Sequence, residues 1–406
     1  MTTRLEKYRA FIQRLSLTSP ASAIEQDLYV PRPEQVLAEE IAARLEVNPT
    51  EALVLTGGVG VGKTTELTIA SKRLDQLQDT EVFLVDVSEL HDLSQLEPGV
   101  LLAAVGVQLC DWVKTKRSPK PRPDLESAIR YFETWAIPGE KWVDDPAVFP
   151  PSDEDIPQVR VVHSGKLSRL RVHSPEMKIA FQALQTIYKS KPPAIRHVLA
   201  FIDSLERVSD MSAFAAVVEQ DVRLLQRIGL GLVLTAPLRS LYGTDRVTLQ
   251  EQFENILHLS PVEQDNAGYE FLMKVLRARD AGAGLLLYDM AVLIAAYSGG
   301  VLRDLLGLAR SAAQIAYMTG AEQILAPHVQ TAAEQMGRKY MLGLTPAELE
   351  TLQRLRTSGV FIQTSDEDLA LLMTGRILEY PRLGQIPRFK VHPTIEPLLQ
   401  QLAEAK

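Results

Sequence analysis

The feature that most constrains the fold is a glycine loop between an apolar segment and a helical one. The segment Ala52-Leu-Val-Leu-Thr56 predicts a buried β-strand, and it leads directly into Gly57-Gly-Val-Gly-Val-Gly-Lys-Thr-Thr65. A helical pattern follows to about Leu77. The order strand, glycine loop, helix predicts an α/β fold with this loop at a functional position.

The loop has the spacing G-x4-G-K-T, which is typical of a phosphate-binding loop. Its glycines let successive backbone N–H groups turn toward a β-phosphate, and Lys63 is expected to reach the β- and γ-phosphates. Thr64 is the expected Mg²⁺ ligand, and a glycine turn with an incidental lysine is the alternative. The predicted nucleotide-binding residues of the loop are Gly58, Val59, Gly60, Val61, Gly62, Lys63, Thr64 and Thr65.

Three further apolar runs, at 82–87, 198–202 and 229–234, predict more strands of a parallel sheet. The second run ends at Asp203, which we expect to hold Mg²⁺ because the carboxyl ends of the strands face the phosphates. A helix-capping carboxylate is the alternative for Asp203. Glu206 is the candidate for orienting or activating the attacking water in ATP hydrolysis, and Asp86 is its rival.

Two segments resemble motifs of known ATPases. Phe201-Ile-Asp-Ser-Leu-Glu-Arg207 resembles the second nucleotide motif of the KAP and STAND branches of P-loop ATPases. Leu230-Gly-Leu-Val-Leu-Thr-Ala-Pro237 is similar to the sensor 1 strand of AAA+ and STAND proteins. The second resemblance implies that the hydroxyl of Thr235 lies near the γ-phosphate, and an ordinary strand end is the alternative.

Two more segments extend the resemblance to the base and the γ-phosphate. Tyr297-Ser-Gly-Gly-Val-Leu-Arg-Asp-Leu-Leu306 resembles the sensor 2 helix of the AAA+ lid, especially in the origin-recognition-like group. This implies that Arg303 reaches the γ-phosphate, since a guanidinium binds phosphate bidentately; a surface arginine paired with a carboxylate is the alternative. Residues 28–34 resemble the segment that packs on adenine in these ATPases. The base-pocket candidates are Tyr29, Val30, Pro31 and Arg32.

The C-terminal segment 389–399 resembles the end of the winged-helix domain of STAND ATPases, where a histidine touches the ADP β-phosphate and holds the resting state. The resemblance implies that His392 is an autoinhibitory latch, and a local hydrogen-bonding role is the alternative. Arg223, Arg227 and Arg239 are candidates for an arginine finger, with an ordinary surface arginine as the alternative.

The predicted fold class is α/β: a P-loop NTPase parallel sheet with helices on both faces, then an α-helical lid and a C-terminal winged-helix domain. We expect an N-terminal helical element at 1–26, either an arm or a packing element. The ATPase core is expected at 27–245, with an inserted subdomain at about 114–172, the lid at 246–340 and the winged helix at 341–406. The insertion is rich in proline, and all three tryptophans lie in or beside it, so it is the candidate docking surface.

Composition narrows the partners and the compartment. The formal charge of −8 argues against binding nucleic acid with the whole surface, although the run at 114–122 is basic. Cys110 is the single cysteine, which excludes an intrachain disulfide and a multi-cysteine zinc site. The most apolar stretch, 285–302, is interrupted by Asp289 and two glycines, so no membrane association is expected. We predict a cytoplasmic protein.

Three functions remain open. The preferred one is a nucleotide-operated switch that hydrolyses ATP slowly, self-associates with ATP and signals to a separate effector protein, as resemblance to bacterial defence or conflict ATPases of the STAND class implies. The alternative is a DNA-binding AAA+ ATPase similar to replication initiators or transposition regulators. From Thr345 onward, however, 7 basic residues stand against 8 acidic ones, a weak basis for binding phosphate backbones. The third is a structural subunit in which nucleotide only stabilises the fold.

Overall fold

The computed structural model describes residues 3–16, 20–33, 37–116, 122–137, 176–242, 245–253, 255–382 and 385–404. It is an α/β structure with a five-stranded parallel sheet in the order β2-β3-β4-β1-β5 and a separate antiparallel hairpin, β6-β7. The strands are β1 (Ala52–Gly57), β2 (Thr80–Asp86), β3 (His197–Asp203), β4 (Gly231–Thr235), β5 (Asn255–Leu259), β6 (Ile377–Arg382) and β7 (Gln385–Val391).

Eighteen α-helices connect and cover the strands in the described part of the chain. Those before the fifth strand are α1 (Arg4–Leu15), α2 (Pro20–Glu25), α3 (Leu37–Val47), α4 (Lys63–Leu74), α5 (Val87–Leu90), α6 (Val100–Thr115), α7 (Pro123–Ala136), α8 (Met177–Lys189), α9 (Met211–Val217), α10 (Arg223–Ile228) and α11 (Asp245–Gln252). Those after it are α12 (Asn266–Asp280), α13 (Tyr288–Tyr297), α14 (Leu302–Met318), α15 (Ala326–Met341), α16 (Pro346–Ser358), α17 (Asp366–Met373) and α18 (Glu396–Glu404).

The chain forms two compact units that interleave along the sequence. One comprises Met1–Glu40, Leu55–Ala70 and Leu257–Lys406, and the other comprises Ile41–Val54 and Ser71–Ile256. The second unit contains β2, β3 and β4, and its core includes the fully buried apolar residues of β3. Because β3 is covered on both faces, its sequence is a continuous apolar run rather than an alternating one, which is why the run was recognisable.

The first unit contains a bundle of helices in which α1 takes part. Tyr8, Phe11 and Leu15 of α1 are buried in one apolar cluster with residues of α12 to α15. The guanidinium of Arg4 donates hydrogen bonds to the carbonyls of Tyr317 and Ala321, at 2.6 and 2.8 Å, where α14 has ended or is ending. Of the two alternatives for the N-terminal helix, the structure therefore has the packing element.

The C-terminal segment has the order helix, helix, hairpin, helix. Its first helix begins as the sequence predicts: the Thr345 hydroxyl accepts the N–H of Glu348, and the Glu348 carboxylate accepts the N–H of Thr345. β6 and β7 then pair antiparallel, with Ile377 opposite Val391. Helix α18 follows.

Most of the predicted insertion at 114–172 lies outside the described residues, including Trp142. The other two tryptophans are described, and both are buried in the core of their unit, Trp112 at 7% exposure and Trp135 at 3%. They stabilise that core and do not offer a docking surface there. In the part of the chain that the structure describes, no helix is long and apolar enough to span a membrane.

Candidate nucleotide-binding site

The glycine loop connects the end of β1 to the first residue of α4, Lys63. Gly60 and Gly62 have φ values of +85° and +110°, which side chains other than hydrogen rarely allow. These conformations let the loop turn sharply into α4, so that backbone N–H groups and the positive end of the helix dipole come together. The loop therefore has the local geometry of an anion-binding site.

The ammonium of Lys63 lies against this loop. Its Nζ donates hydrogen bonds to the carbonyl oxygens of Gly57 and Gly58, both at 3.0 Å, and the side chain is buried. The positive charge is thus held where the motif predicts the β- and γ-phosphates. Thr64 follows in the first turn of α4 with its side chain exposed, and Thr65 is half-buried.

Arg32 is a brace for the loop. Its guanidinium is buried and donates to the carbonyl of Val61 within the loop and to the carbonyl of Ser260 at 3.0 Å. Burial lowers the pKa of Arg32, while the nearby carboxylate of Glu66 opposes this shift. Burial likewise raises the pKa of Glu66, which accepts the N–H of Ala38 at 3.1 Å. The contacts of Arg32 are to the loop backbone, and its expected contact with the base stays a prediction.

The other three base-pocket candidates lie beside Arg32 in the chain. Tyr29 is half-buried, and burial together with the charge of Glu66 raises its pKa to about 12. Val30 packs against the helical bundle, and Pro31 is exposed. The structure thus places an aromatic ring and an exposed proline next to the arginine that holds the loop.

Helix α14 begins on the glycine loop. The N–H of Arg303 donates to the carbonyl of Gly60 at 3.0 Å, and a Cβ built on Gly60 would lie 2.6 Å from the Cβ of Arg303. The Arg303 side chain is exposed and makes no hydrogen bond or ion pair with a described residue. The alternative of an arginine paired with a surface carboxylate is therefore not observed within the described ranges.

His392 occupies a different environment from the one its resemblance implies. Its ring is fully buried, with Nε2 3.2 Å from Oδ2 of Asp304 and Nδ1 2.8 Å from the hydroxyl of Thr394. Both ring nitrogens therefore have protein partners, and neither is presented to a phosphate in this conformation. This arrangement corresponds to the local hydrogen-bonding alternative, and the direct contact with ADP stays a prediction.

His258 of β5 was not predicted by the sequence. Its Nδ1 lies 3.1 Å from the hydroxyl of Thr56, the last residue before the glycine loop. Burial lowers the pKa of His258, the charge of Glu379 opposes this and the charge of Lys63 adds to it. No motif marks this position, because its importance depends on the pairing of two strands about 200 residues apart in the chain.

Asp203, Glu206 and Thr235 belong to the second compact unit. Asp203 is buried at the end of β3, and its carboxylate accepts the N–H of Ser204 at 2.8 Å. Ser204 has a φ of +74°, which is costly for a residue with a side chain and is typical of functional turns. The Thr235 hydroxyl accepts the N–H of Leu205 at 3.2 Å, so it also holds this turn.

Glu206 has the environment of a group that can act on a water molecule. One of its carboxylate oxygens is buried with no hydrogen-bond partner among the described residues, and the other lies 3.9 Å from the guanidinium of Arg207. An unpaired buried oxygen is a strong acceptor. Its rival, Asp86, instead accepts the N–H and hydroxyl of Ser88 at 2.9 and 2.6 Å and caps α5.

The arginine-finger candidates have local contacts. Arg223 pairs with Glu219 and donates to Gln252, and Arg227 lies over the ring of Phe181. Arg239 is half-buried in the turn Leu238–Leu241. Cys110 is buried, and its burial raises the pKa of the thiol, as expected of a structural cysteine. No cluster of metal-binding His, Cys, Asp and Glu occurs within the described residues.

Comparison with known proteins gives only distant similarities. A Drosophila ORC structure bound to DNA shares 14% identity, with 98% of this chain and 91% of that chain covered and a TM-score of 0.47. Cdc6p from Pyrobaculum aerophilum shares 12%, with coverage of 96% and 98% and a TM-score of 0.42. The Thermotoga maritima RuvB Holliday junction branch migration motor shares 14%, with coverage of 92% and 98% and a TM-score of 0.42.

No protein-family model matches the chain. No curated protein matches it either. At these identities and TM-scores, the fold assignment rests on the chain's own parallel sheet, its strand–loop–helix unit and the helices that follow.

Proposed function

We propose that the chain binds ATP and ADP with Mg²⁺ as a P-loop ATPase of the AAA+/STAND class. The observation that carries the proposal is the glycine loop itself, with Lys63 held on the carbonyls of Gly57 and Gly58 at 3.0 Å. A second element, the start of α14, bonds to the same loop through Gly60 and brings an exposed arginine with it. Phosphate contacts from the loop and the helix would make the γ-phosphate a signal that biases their arrangement.

The residues expected to hold Mg²⁺ have suitable chemistry. Thr64 supplies a hydroxyl at a helix start, and Asp203 supplies a carboxylate oxygen at a strand end; both are hard oxygen ligands of the kind that Mg²⁺ prefers. The ion would neutralise charge on the β- and γ-phosphates when bound. Glu206 would orient the attacking water, and we expect slow hydrolysis because Ser204 occupies the position where many such ATPases have a catalytic glutamate.

We further propose that this nucleotide site operates a switch. ATP would favour a self-associating form and ADP a closed one, in a cytoplasmic protein that signals to a separate effector in a bacterial defence or conflict system. This part rests on the STAND resemblance of residues 201–207 and 389–399. It goes beyond the fold and therefore needs its own test.

Size-exclusion chromatography with light scattering tests the switch. We expect the wild-type chain to have a larger molar mass with Mg²⁺ and ATP than with ADP, and Lys63→Ala to behave like the ADP form in both. The same molar mass under all conditions would contradict the switch. Phosphate release by the wild type, reduced in Glu206→Gln, would support the role of Glu206.

A DNA-binding function is the outcome that this test must be compared with. In the basic run at 114–122, Lys114 forms an ion pair with the buried carboxylate of Glu133, which engages one of its charges. A gel shift with duplex DNA at graded salt separates the two functions. Tight binding that is lost on charge reversal of Lys114, Lys116 and Arg117 would favour the DNA-binding ATPase.

A further inference from the structure

We propose that Asp304 is a positioning residue that couples the C-terminal hairpin to Arg303 and thereby to the choice between ATP and ADP. The inference rests on the proposed function, because its site is the nucleotide loop. It concerns three side chains that are far apart in sequence and share one oxygen atom: Asp304, Tyr340 and His392.

Asp304 lies in the first turn of α14, one residue after Arg303, and its side chain is largely buried. Its Oδ2 accepts the hydroxyl of Tyr340 at 2.7 Å and faces Nε2 of His392 at 3.2 Å. Tyr340 is at the end of α15, and His392 follows β7. A single carboxylate oxygen therefore joins α14, α15 and the hairpin.

The orientation of the histidine is fixed by its other contacts. The N–H of Thr394 points to Nδ1 at 3.3 Å, so Nδ1 is an acceptor and the ring proton lies on Nε2, facing Asp304. The ring also stacks on Tyr340, with 4.6 Å between centroids. Burial and the charge of Asp304 raise the pKa of Tyr340, so its hydroxyl keeps its proton and donates. Both donors to Asp304 are thus set by the fold.

The same segment grips the residues just before α14. The hydroxyl of Tyr380 donates to the carbonyl of Gly299 at 2.6 Å, and a Cβ on Gly299 would meet Leu378 at 2.4 Å and Pro393 at 3.0 Å. Gly299 has a φ of +58° and leaves no space there for a side chain. The start of α14 is therefore held by the C-terminal segment on one side and, through the N–H of Arg303, by the carbonyl of Gly60 on the other.

This arrangement makes the first turn of α14 a shared element. A buried carboxylate that loses a donor is costly, so Asp304 favours the arrangement in which the hairpin stays in place. In that arrangement the Arg303 side chain is exposed and has no bonding partner in the described ranges. Loosening the network would free the turn that carries Arg303, and a guanidinium that reaches a γ-phosphate favours ATP over ADP.

The test measures dissociation constants for ATP and for ADP, each with Mg²⁺, by calorimetry on the full chain. We expect His392→Ala and Tyr340→Phe each to raise the ratio of ATP affinity to ADP affinity at least fivefold. His392→Gln keeps an N–H donor near the position of Nε2 and should restore a ratio close to that of the wild type. Tyr340→Phe removes a single hydroxyl, so it serves if His392→Ala does not fold.

Glu263→Gln is the matched control. It breaks the ion pair between Glu263 and Arg388 of the same hairpin, 2.8 Å long, without touching Asp304. We expect its ratio to stay within twofold of the wild type. An unchanged or lowered ratio in Tyr340→Phe, or an equal rise in Glu263→Gln, would overturn the coupling. If the wild type does not bind ATP, or Lys63→Ala binds it equally well, the proposed function fails instead.

Discussion

Single residues set the geometry of the glycine loop, and Gly60 is the position with the least tolerance. Its φ of +85° disfavours any side chain, and an added Cβ would lie 2.6 Å from the Cβ of Arg303. Alanine at this position must displace either the loop or the first turn of α14. The residue thus links the backbone of the phosphate-binding loop to the helix that carries the arginine.

We predict that Gly60→Ala weakens ATP binding at least tenfold, which corresponds to about 1.4 kcal/mol. Gly282→Ala is the control, because Gly282 has a similar φ of +79° but nothing within 4 Å of an added Cβ. The control has the same kind of backbone strain without the clash. Calorimetric titration of both variants checks the prediction, and equal ATP affinities for Gly60→Ala and the wild type would contradict it.

Asp221 makes a prediction about pH in the second unit. Its carboxylate is fully buried and accepts the N–H groups of Gly99, Leu101 and Leu102 at 2.7, 2.9 and 3.3 Å, at the start of α6. Burial raises the pKa of Asp221 to about 7, although these donors act in the opposite direction. Between pH 4 and pH 7 the unfolded chain therefore binds fewer protons than the folded one at this group.

The sign follows from this difference. The contribution of Asp221 to the free energy of unfolding falls as the pH rises toward 7 and is constant above it. Relative to Asp221→Asn, which does not titrate, the wild type should lose on the order of 2 kcal/mol of stability between pH 5 and pH 8. Urea unfolding of both proteins at the two pH values measures the change. A constant difference, or a gain by the wild type, would refute the assignment.

At the scale of elements, α1 is part of the helical bundle. Phe11 is fully buried among the bundle residues, while Leu5 of the same helix is 37% exposed. We predict that Phe11→Ala lowers the free energy of unfolding by about 3–5 kcal/mol, the usual cost of removing a buried phenyl ring. Leu5→Ala should cost less than about 1 kcal/mol. Similar small costs for both substitutions, measured by chemical denaturation, would mean that α1 does not belong to the bundle.

The elements also show what a sequence can and cannot predict. The apolar runs predicted the strands β2, β3 and β4 to within two residues, because fully buried strands have continuous apolar sequences. The glycine spacing predicted the strand–loop–helix unit for a similar local reason. Local patterns of this kind are visible in a stretch of about ten residues.

The partners of His392 were not predictable in this way. Its contacts with Asp304 and Tyr340 join residues that are 88 and 52 positions away in the chain, and only the packing of α14, α15 and the hairpin brings them together. The resemblance to winged-helix ATPases marked the histidine but not its partners. His258 was missed for the same reason, since its contact with Thr56 comes from the tertiary fold.

At the scale of the whole molecule, the order of segments in the sequence differs from their grouping in space. The predicted boundaries follow the chain, whereas the glycine loop belongs to the same compact unit as α12 to α18. That grouping is what the proposed switch requires, because the loop, the start of α14 and the C-terminal hairpin can then influence one another. A negative net charge of 8 is compatible with a nucleotide site, since the loop and Lys63 provide local positive potential.

Direct titration of the full chain with ATP and Mg²⁺ tests the central claim, which is that the loop at 57–65 binds nucleotide through Lys63. Lys72→Ala is the matched control, because Lys72 is on the same helix α4 but exposed near its other end. We predict that the wild type and Lys72→Ala bind ATP equally and that Lys63→Ala binds at least about tenfold more weakly while unfolding at the same temperature. Equal binding by Lys63→Ala, or no binding by the wild type, would contradict the account.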